Sequence, residues 1–192
     1  LLMLRFLQEK LPVPKIIAIN KTNENSFILM SKCTGQMACS DTYMNNPEIL
    51  VKMLADGLKK LWKVDISDCP IDNRLSVKFQ QAKYNITHNL VNMEDVNPST
   101  FGEKGFKNPS HLLEYLIENK PEEEPVFSHG DYCLPNVFGV GENVTGFIDV
   151  GSSGIADKWW DIAICCRSLE NNFRGKYSKK KDSNFNIQLL FE

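Results

Sequence analysis

Apolar and polar positions along the chain mark out its elements. Residues 1 to 11 carry Leu4, Leu7 and Leu11 at helical spacing, and Pro12 and Pro14 stop that helix. Two short apolar runs follow, Ile16-Ile17-Ala18-Ile19 and Phe27-Ile28-Leu29-Met30. The polar stretch from Asn20 to Asn25 separates them, which predicts a β-hairpin with a long loop. Residues 31–35 form an irregular exit from the second strand. Pro47 opens a helix in which Ile49, Leu50, Met53, Leu54, Leu58, Leu61 and Trp62 make one apolar stripe, as expected for packing on a core. Residues 67–73 read as a loop and 74–93 as a weakly helical segment that runs into a polar stretch. Asn108-Pro109 has the chemistry of an N-cap followed by proline at the first helical position, and the helix it starts ends before Pro121. The acidic run Glu122-Glu123-Glu124 is expected to be a solvated turn, and so is Lys179-Lys180-Lys181. Beyond Pro125 come strands around Val126-Phe127-Ser128, Val137 to Val140 and Val144 to Ile148. A final helix from Trp159 to Leu169 is apolar on one face, with Trp159 and Trp160 expected in the core.

Composition narrows the classes. Hydrophobic residues make up 42% and charged residues 24% of 192, enough for a packed core and unlike a disordered chain. The formal charge of -2 lacks the basic excess of a nucleic-acid binder. No apolar run approaches the roughly 18 residues of a membrane span. The chain opens as though inside a helix, without a starting Met or charged leader, so it is expected to be a piece of something longer. Six scattered cysteines and three scattered histidines give no zinc-like spacing. Cys165-Cys166 sits in an apolar run and is expected to be buried and reduced, in a reducing, cytoplasmic compartment.

Chemistry concentrates in one constellation. His129-Gly130-Asp131 is followed by Asn136 five residues after Asp131, and by Asp149-Val150-Gly151 thirteen residues after Asn136. Phosphoryl transfer between a nucleotide and a hydroxyl uses a carboxylate to orient the hydroxyl. It also uses oxygen ligands, one an asparagine and one an aspartate, to hold Mg²⁺. Short strands on each side of a tight turn would return Asn136 and Asp149 to one place.

Three stretches resemble the aminoglycoside phosphotransferase family, and its 3′-phosphotransferase group in particular. They are Phe127-Ser-His-Gly-Asp131 through Asn136-Val-Phe138, Gly146-Phe-Ile-Asp149-Val-Gly151, and Gly154-Ile-Ala-Asp157-Lys-Trp-Trp-Asp161-Ile-Ala163. Upstream segments around Lys10–Lys15, Asp65–Pro70 and Lys120–His129 agree, so the likeness extends from residue 1 to about 175. The resemblance implies an α+β, protein-kinase-like fold. Residues 1–35 would be a remnant of the N-terminal lobe with the hinge, and 36–192 a C-terminal lobe cut short at its end. The activity implied is ATP- and Mg²⁺-dependent phosphorylation of a hydroxyl on a cationic aminoglycoside, with no nucleic-acid, membrane or protein partner. Asp131 would orient the hydroxyl, while Asn136 and Asp149 would hold Mg²⁺. Backbone groups at Ser31, Lys32 and Cys33 would meet the adenine. His129 and Asp161 would support the catalytic loop, and Asp157 and Glu170 would offer negative charge to the drug.

The sequence also departs from that pattern. No glycine phosphate loop, lysine or paired glutamate of the first lobe can be placed. Ser152 stands where an arginine usually follows Asp-x-Gly, and Leu134 stands where a close relative has an acid. Residues 74–93 offer Arg74, Lys78 and Lys83 with no acid, whereas a polycationic drug calls for negative charge. Two alternatives stay open: a kinase of this fold acting on another alcohol, and a non-catalytic remnant.

Overall fold

A computed structural model describes residues 1–94, 96–97, 99–176 and 187–190. The lysine run at 179–181 and Asp95 lie outside the described residues.

The opening helix α1 spans Leu2–Leu7 and buries Met3 and Leu7. It ends well before Pro12, because the chain turns at Glu9, which has φ 73°. The hairpin pairs β1 (Ile16–Lys21) with β2 (Ser26–Met30) in antiparallel register. Its strands run further into the polar stretch than apolar content suggests. Thr22 closes the shortened loop, donating its N–H to the Asn25 carbonyl and accepting Asn25's N–H on Oγ1. After β3 (Gln36–Met37) and the short α2 (Asp41–Met44) comes α3 (Pro47–Trp62). Helix α3 buries Leu50, Met53, Leu54, Leu58 and Leu61, as its stripe predicts, while Ile49 stays exposed. Burial of each such side chain contributes about 1.5–3 kcal/mol.

The weakly patterned segment forms α4 (Leu75–Thr87), none of whose residues is buried. Its first N–H, from Leu75, donates to the carboxylate of Glu123, which also pairs with Lys120. Glu123 is therefore not the solvated acid expected of the 122–124 run: an unmet helix-end donor draws it inward. Helix α5 (Pro109–Glu118) is capped as expected, with the Asn108 side chain accepting the His111 N–H at 2.9 Å.

The second half builds the frame of the site. Strand β4 (Pro125–Ser128) pairs with β7 (Gly154–Asp157), and β5 (Val137–Val140) lies between β3 and β6 (Asn143–Phe147). Strands β3 and β7 carry no alternation that the sequence could show, because each is short and is set by its partner. Helix α6 (Lys158–Phe173) extends beyond the expected Leu169 and buries Cys165, Leu169 and Phe173. Cys165 is buried as expected but Cys166 is only partly so, and all six cysteines are unbridged. Among the described residues no helix is long and apolar enough to cross a membrane.

Candidate active site

The segment between β4 and β5 carries His129, Gly130 and Asp131, and buried groups hold its backbone. Gly130 has φ +81°, and a Cβ there would lie 2.1 Å from the Ser152 carbonyl oxygen, so this turn requires glycine. From α6, Asp161 accepts the N–H of His129 on Oδ2 at 2.7 Å and that of Gly130 on Oδ1 at 3.0 Å. Burial pushes the Asp161 carboxyl up to about 6, against the lowering effect of these donors. The ring of His129 is buried and bonded on both sides: Nδ1 accepts the Asp131 N–H at 3.3 Å, and Nε2 lies 3.0 Å from the Ile148 carbonyl. That network assigns the neutral tautomer with hydrogen on Nε2, and burial lowers the ring's pKa in the same sense. His129 is a bracket between the two arms of the site.

Asp131 and Asn136 are side-chain partners. The Asn136 amide donates to Asp131 Oδ2 and to the Asp131 carbonyl, each at 3.0 Å. The backbone N–H of Ile148, next to Asp149, donates to the Asn136 carbonyl at 3.0 Å. Asp149 adopts a left-handed conformation with φ 55°. Among the described residues no hydrogen bond or ion pair ties its carboxylate. Asp131 and Asn136 are thus joined side chain to side chain, and the β5–β6 hairpin brings the backbone next to Asp149 against Asn136.

Asp149 lines a cavity of about 870 Å³ together with Ser31, Lys32 and Cys33. Ser31 is itself committed to the hairpin, exchanging bonds with Lys15 through its N–H and its Oγ. The backbone N–H groups at Lys32 and Cys33 have no partner among the described residues. Gly146 packs under Cys33 so closely that a Cβ would meet the thiol sulfur at 2.8 Å.

Neither Asp157 nor Glu170, the acids expected to face the drug, lines the cavity that contains Asp131. The Asp157 carboxylate caps α6, accepting N–H groups from Trp159 and Glu124. Glu170 lies more than two turns along α6 from Asp161 and faces Arg174 at 3.8 Å. Local helix-end chemistry takes these acids away from the cavity.

The tryptophans are not core residues: Trp159 is 54% and Trp160 36% exposed. Trp160 instead donates its indole N–H to the Gly130 carbonyl at 3.2 Å and carries the Lys78 ammonium 3.7 Å over its ring. Residue type alone does not show this. Ser168 was also not evident: its Oγ accepts the Leu134 N–H at 3.0 Å. A signal for it does exist, since Asp161 and Ser168 stand seven residues apart on one helix face, as buried polar side chains beside apolar Cys165 and Leu169.

As a metal site, the residues fit Mg²⁺. Among the described residues no three His, Cys, Asp or Glu side chains converge, which argues against a caged zinc-like site. An untied carboxylate on a nucleotide-sized cavity, with the Asn136 carbonyl bonded to the neighbouring Ile148 N–H, suits a cation that takes few protein ligands and completes its shell with phosphates and water.

Short antiparallel sheets set among helices, with the loop and hairpin arranged in this way, make a protein-kinase-like fold. Solved structures share it. An aminoglycoside phosphotransferase from Streptomyces rimosus superposes with a TM-score of 0.73 at 23% identity, over 88% of this chain and 64% of that one. A type VIII aminoglycoside-3′-phosphotransferase does so with a TM-score of 0.72 at 25% identity, over 98% and 75%. The chain belongs to the phosphotransferase enzyme family (APH), which matches residues 2–182. Curated relatives include aminoglycoside 3′-phosphotransferases from Enterococcus faecalis, 38% identical, and Staphylococcus aureus, 37% identical, each over 88% of this chain. The chain spans 64% of the length of either.

Proposed function

We propose that this chain carries the catalytic body of an ATP- and Mg²⁺-dependent O-phosphotransferase acting on a hydroxyl of an aminoglycoside. Residues 1–35 serve as hinge and edge of the nucleotide site, and 36–192 as the lobe that holds the reacting groups. The observation that carries this reading is the Asp131–Asn136 bond at 3.0 Å, with the backbone beside Asp149 bonded to Asn136 and Asp149 itself on a cavity shared with residues 31–33. A solved relative from Streptomyces rimosus is described in complex with ADP and streptomycin, which supports both the donor and the class of acceptor.

In this reading Asp131 accepts a hydrogen bond from the acceptor hydroxyl and aims its oxygen at the terminal phosphorus. The Asn136 amide fixes the rotamer of Asp131 by donating to Oδ2. Asn136 Oδ1 and the Asp149 carboxylate would hold Mg²⁺, which when bound neutralises charge on the phosphates. The neutral His129 ring and the Asp161 carboxylate keep the loop in register and take no part in proton transfer. Transfer is direct, and positioning supplies most of the catalysis.

The test is phosphate transfer from radiolabelled ATP to kanamycin by the 192-residue chain and by Asp131→Ala. A positioned carboxylate of this kind contributes about 10²–10⁴-fold, so the variant should lose at least about a hundredfold. Equal rates for the two proteins, well above the uncatalysed reaction, would rule out the assignment of Asp131, and no transfer by either would favour the non-catalytic remnant.

A further inference from the structure

The catalytic loop is tied to the body of the fold on two sides. On one side α6 holds it: Asp161 accepts the N–H groups of His129 and Gly130, and Ser168 Oγ accepts that of Leu134. The other tie is Tyr132, the residue after Asp131. Its ring is fully buried against His129 and Phe147, with centroids 6.1 and 6.3 Å away, and its hydroxyl donates to the Leu54 carbonyl inside α3 at 2.8 Å. Burial pushes the phenol's pKa up, so the O–H stays a donor at any pH suited to an assay. Gly57, three residues further along α3, makes room for that hydroxyl. A Cβ there would lie 2.1 Å from Tyr132 Oη, but 3.3 Å from Cζ and 3.1 Å from Val144 Cγ2. Glycine in the middle of a helix costs stability relative to alanine, and here the approach of the hydroxyl requires it.

Tyr132 is also the middle residue of a three-residue turn, closed by the Cys133 N–H donating to the Asp131 carbonyl at 2.8 Å. The same carbonyl accepts from the Asn136 amide, which also donates to Asp131 Oδ2. Displacing the tyrosine therefore turns the peptide next to Asp131 and disturbs the contacts that aim its carboxylate. We propose that Tyr132, anchored by its hydroxyl to Leu54 and seated over Gly57, is a positioning residue that sets the placement of the Asp131 carboxylate. The proposal rests on the phosphotransferase reading and deepens it, since it makes α3 the support from which Asp131 is aimed. A misplacement on the order of 1 Å at a reacting group costs about a hundredfold in rate, so the fit of Tyr132 over Gly57 is read in kcat.

The test measures kcat and KM for phosphate transfer from ATP to kanamycin. It compares the 192-residue chain with Tyr132→Phe, Gly57→Ala and the double variant, each shown by circular dichroism to be folded at the assay temperature. Tyr132→Phe keeps the ring and loses the bond, so kcat should fall at least about threefold with the KM for ATP unchanged. Gly57→Ala drives a methyl group into the hydroxyl, and kcat should fall at least about tenfold. Removing the hydroxyl removes that clash, so the double variant should recover to the rate of Tyr132→Phe. A residue that only fills the core would change Tm and leave the kcat of the folded chain as it was. A kcat in Tyr132→Phe within about threefold of wild type, a loss confined to KM, or a double variant as slow as Gly57→Ala overturns the proposal and leaves the assignment of Asp131 standing. Should Gly57→Ala not fold, Tyr132→Phe and the double variant carry the test. Equal rates in those two, below wild type, are then expected, and a wild-type kcat in either overturns the proposal. If wild type transfers no phosphate above an Asp131→Ala control, the phosphotransferase reading falls, and this proposal with it.

Discussion

Asp161 sits at the junction of stability and function, and replacing it with asparagine makes a test with a calculable size. Burial raises its carboxyl from 3.8 to about 6, so the folded chain holds that proton more tightly than the unfolded chain does. The contribution to stability is therefore complete below the unfolded value and is lost as pH rises through the folded one. At 1.36 kcal/mol per unit, the full excursion is about 3 kcal/mol, of which about 1.3 kcal/mol falls between pH 7 and pH 5. His129 works in the opposite direction. Its pKa is lowered by burial, so its contribution is present above the unfolded value of 6.5 and declines as the pH falls below it. The wild-type curve thus mixes two opposed slopes, and only a difference between proteins separates them.

Asp161→Asn leaves His129 in place and removes one titration. Its amide oxygen can still accept from one of the two loop N–H groups, but its NH₂ confronts the other, at a cost of about 1–3 kcal/mol. That cost does not depend on pH. Near pH 7 it is set against relief from burying an ionised carboxylate, and the two proteins should differ little. At pH 5 wild type regains about 1.3 kcal/mol that the variant cannot, which corresponds to about 3–5 °C in Tm for a chain of this size. Urea unfolding followed by tryptophan fluorescence at pH 7, 6 and 5 reads the effect as a gap that widens on acidification. A gap that is constant across that range, or that narrows, would refute the account of Asp161 as a buried carboxylate held against its own desolvation.

Gly130→Ala forces a β-carbon to within 2.1 Å of a backbone oxygen at φ +81°, so unfolding free energy should drop by more than about 2 kcal/mol in urea titrations. A loss below about 0.5 kcal/mol would mean the turn can relax. The Lys78–Trp160 contact should show a coupling of about 0.5–1 kcal/mol in a double-mutant cycle with Lys78→Met and Trp160→Leu, and zero coupling would mark it as a chance approach.

What could be read from the sequence follows from how local each signal is. The α3 stripe spans four turns and the Asn108 cap spans four residues, so both are written within the segment they shape. Strands β3 and β7 are made by partners a hundred or thirty residues away, and two to four residues cannot announce a pairing that is decided elsewhere. Glu123 follows the same logic. An acidic triplet looks solvated until a helix end 48 residues earlier presents an N–H that needs an acceptor. The opening helix shows the reverse error, since helical spacing continues to Leu11 while the backbone has already turned at Glu9.

The site divides along the same line. Asp131, Asn136 and Asp149 could be picked out because their spacing matches a chemical need, and Asp161 because the family likeness supplied a role for it. The residues that hold and tune them were hidden, because a tryptophan beside an apolar helix is the ordinary picture of core. Trp160 departs from it because its indole N–H needs an acceptor, and the carbonyl of a glycine forced into a left-handed turn is left to provide one. The sequence shows the lack of acids in residues 74–93 and the leucine at 134, whereas only the fold shows that Leu134 is fully buried and that Lys78 lies over the Trp160 ring beside the loop.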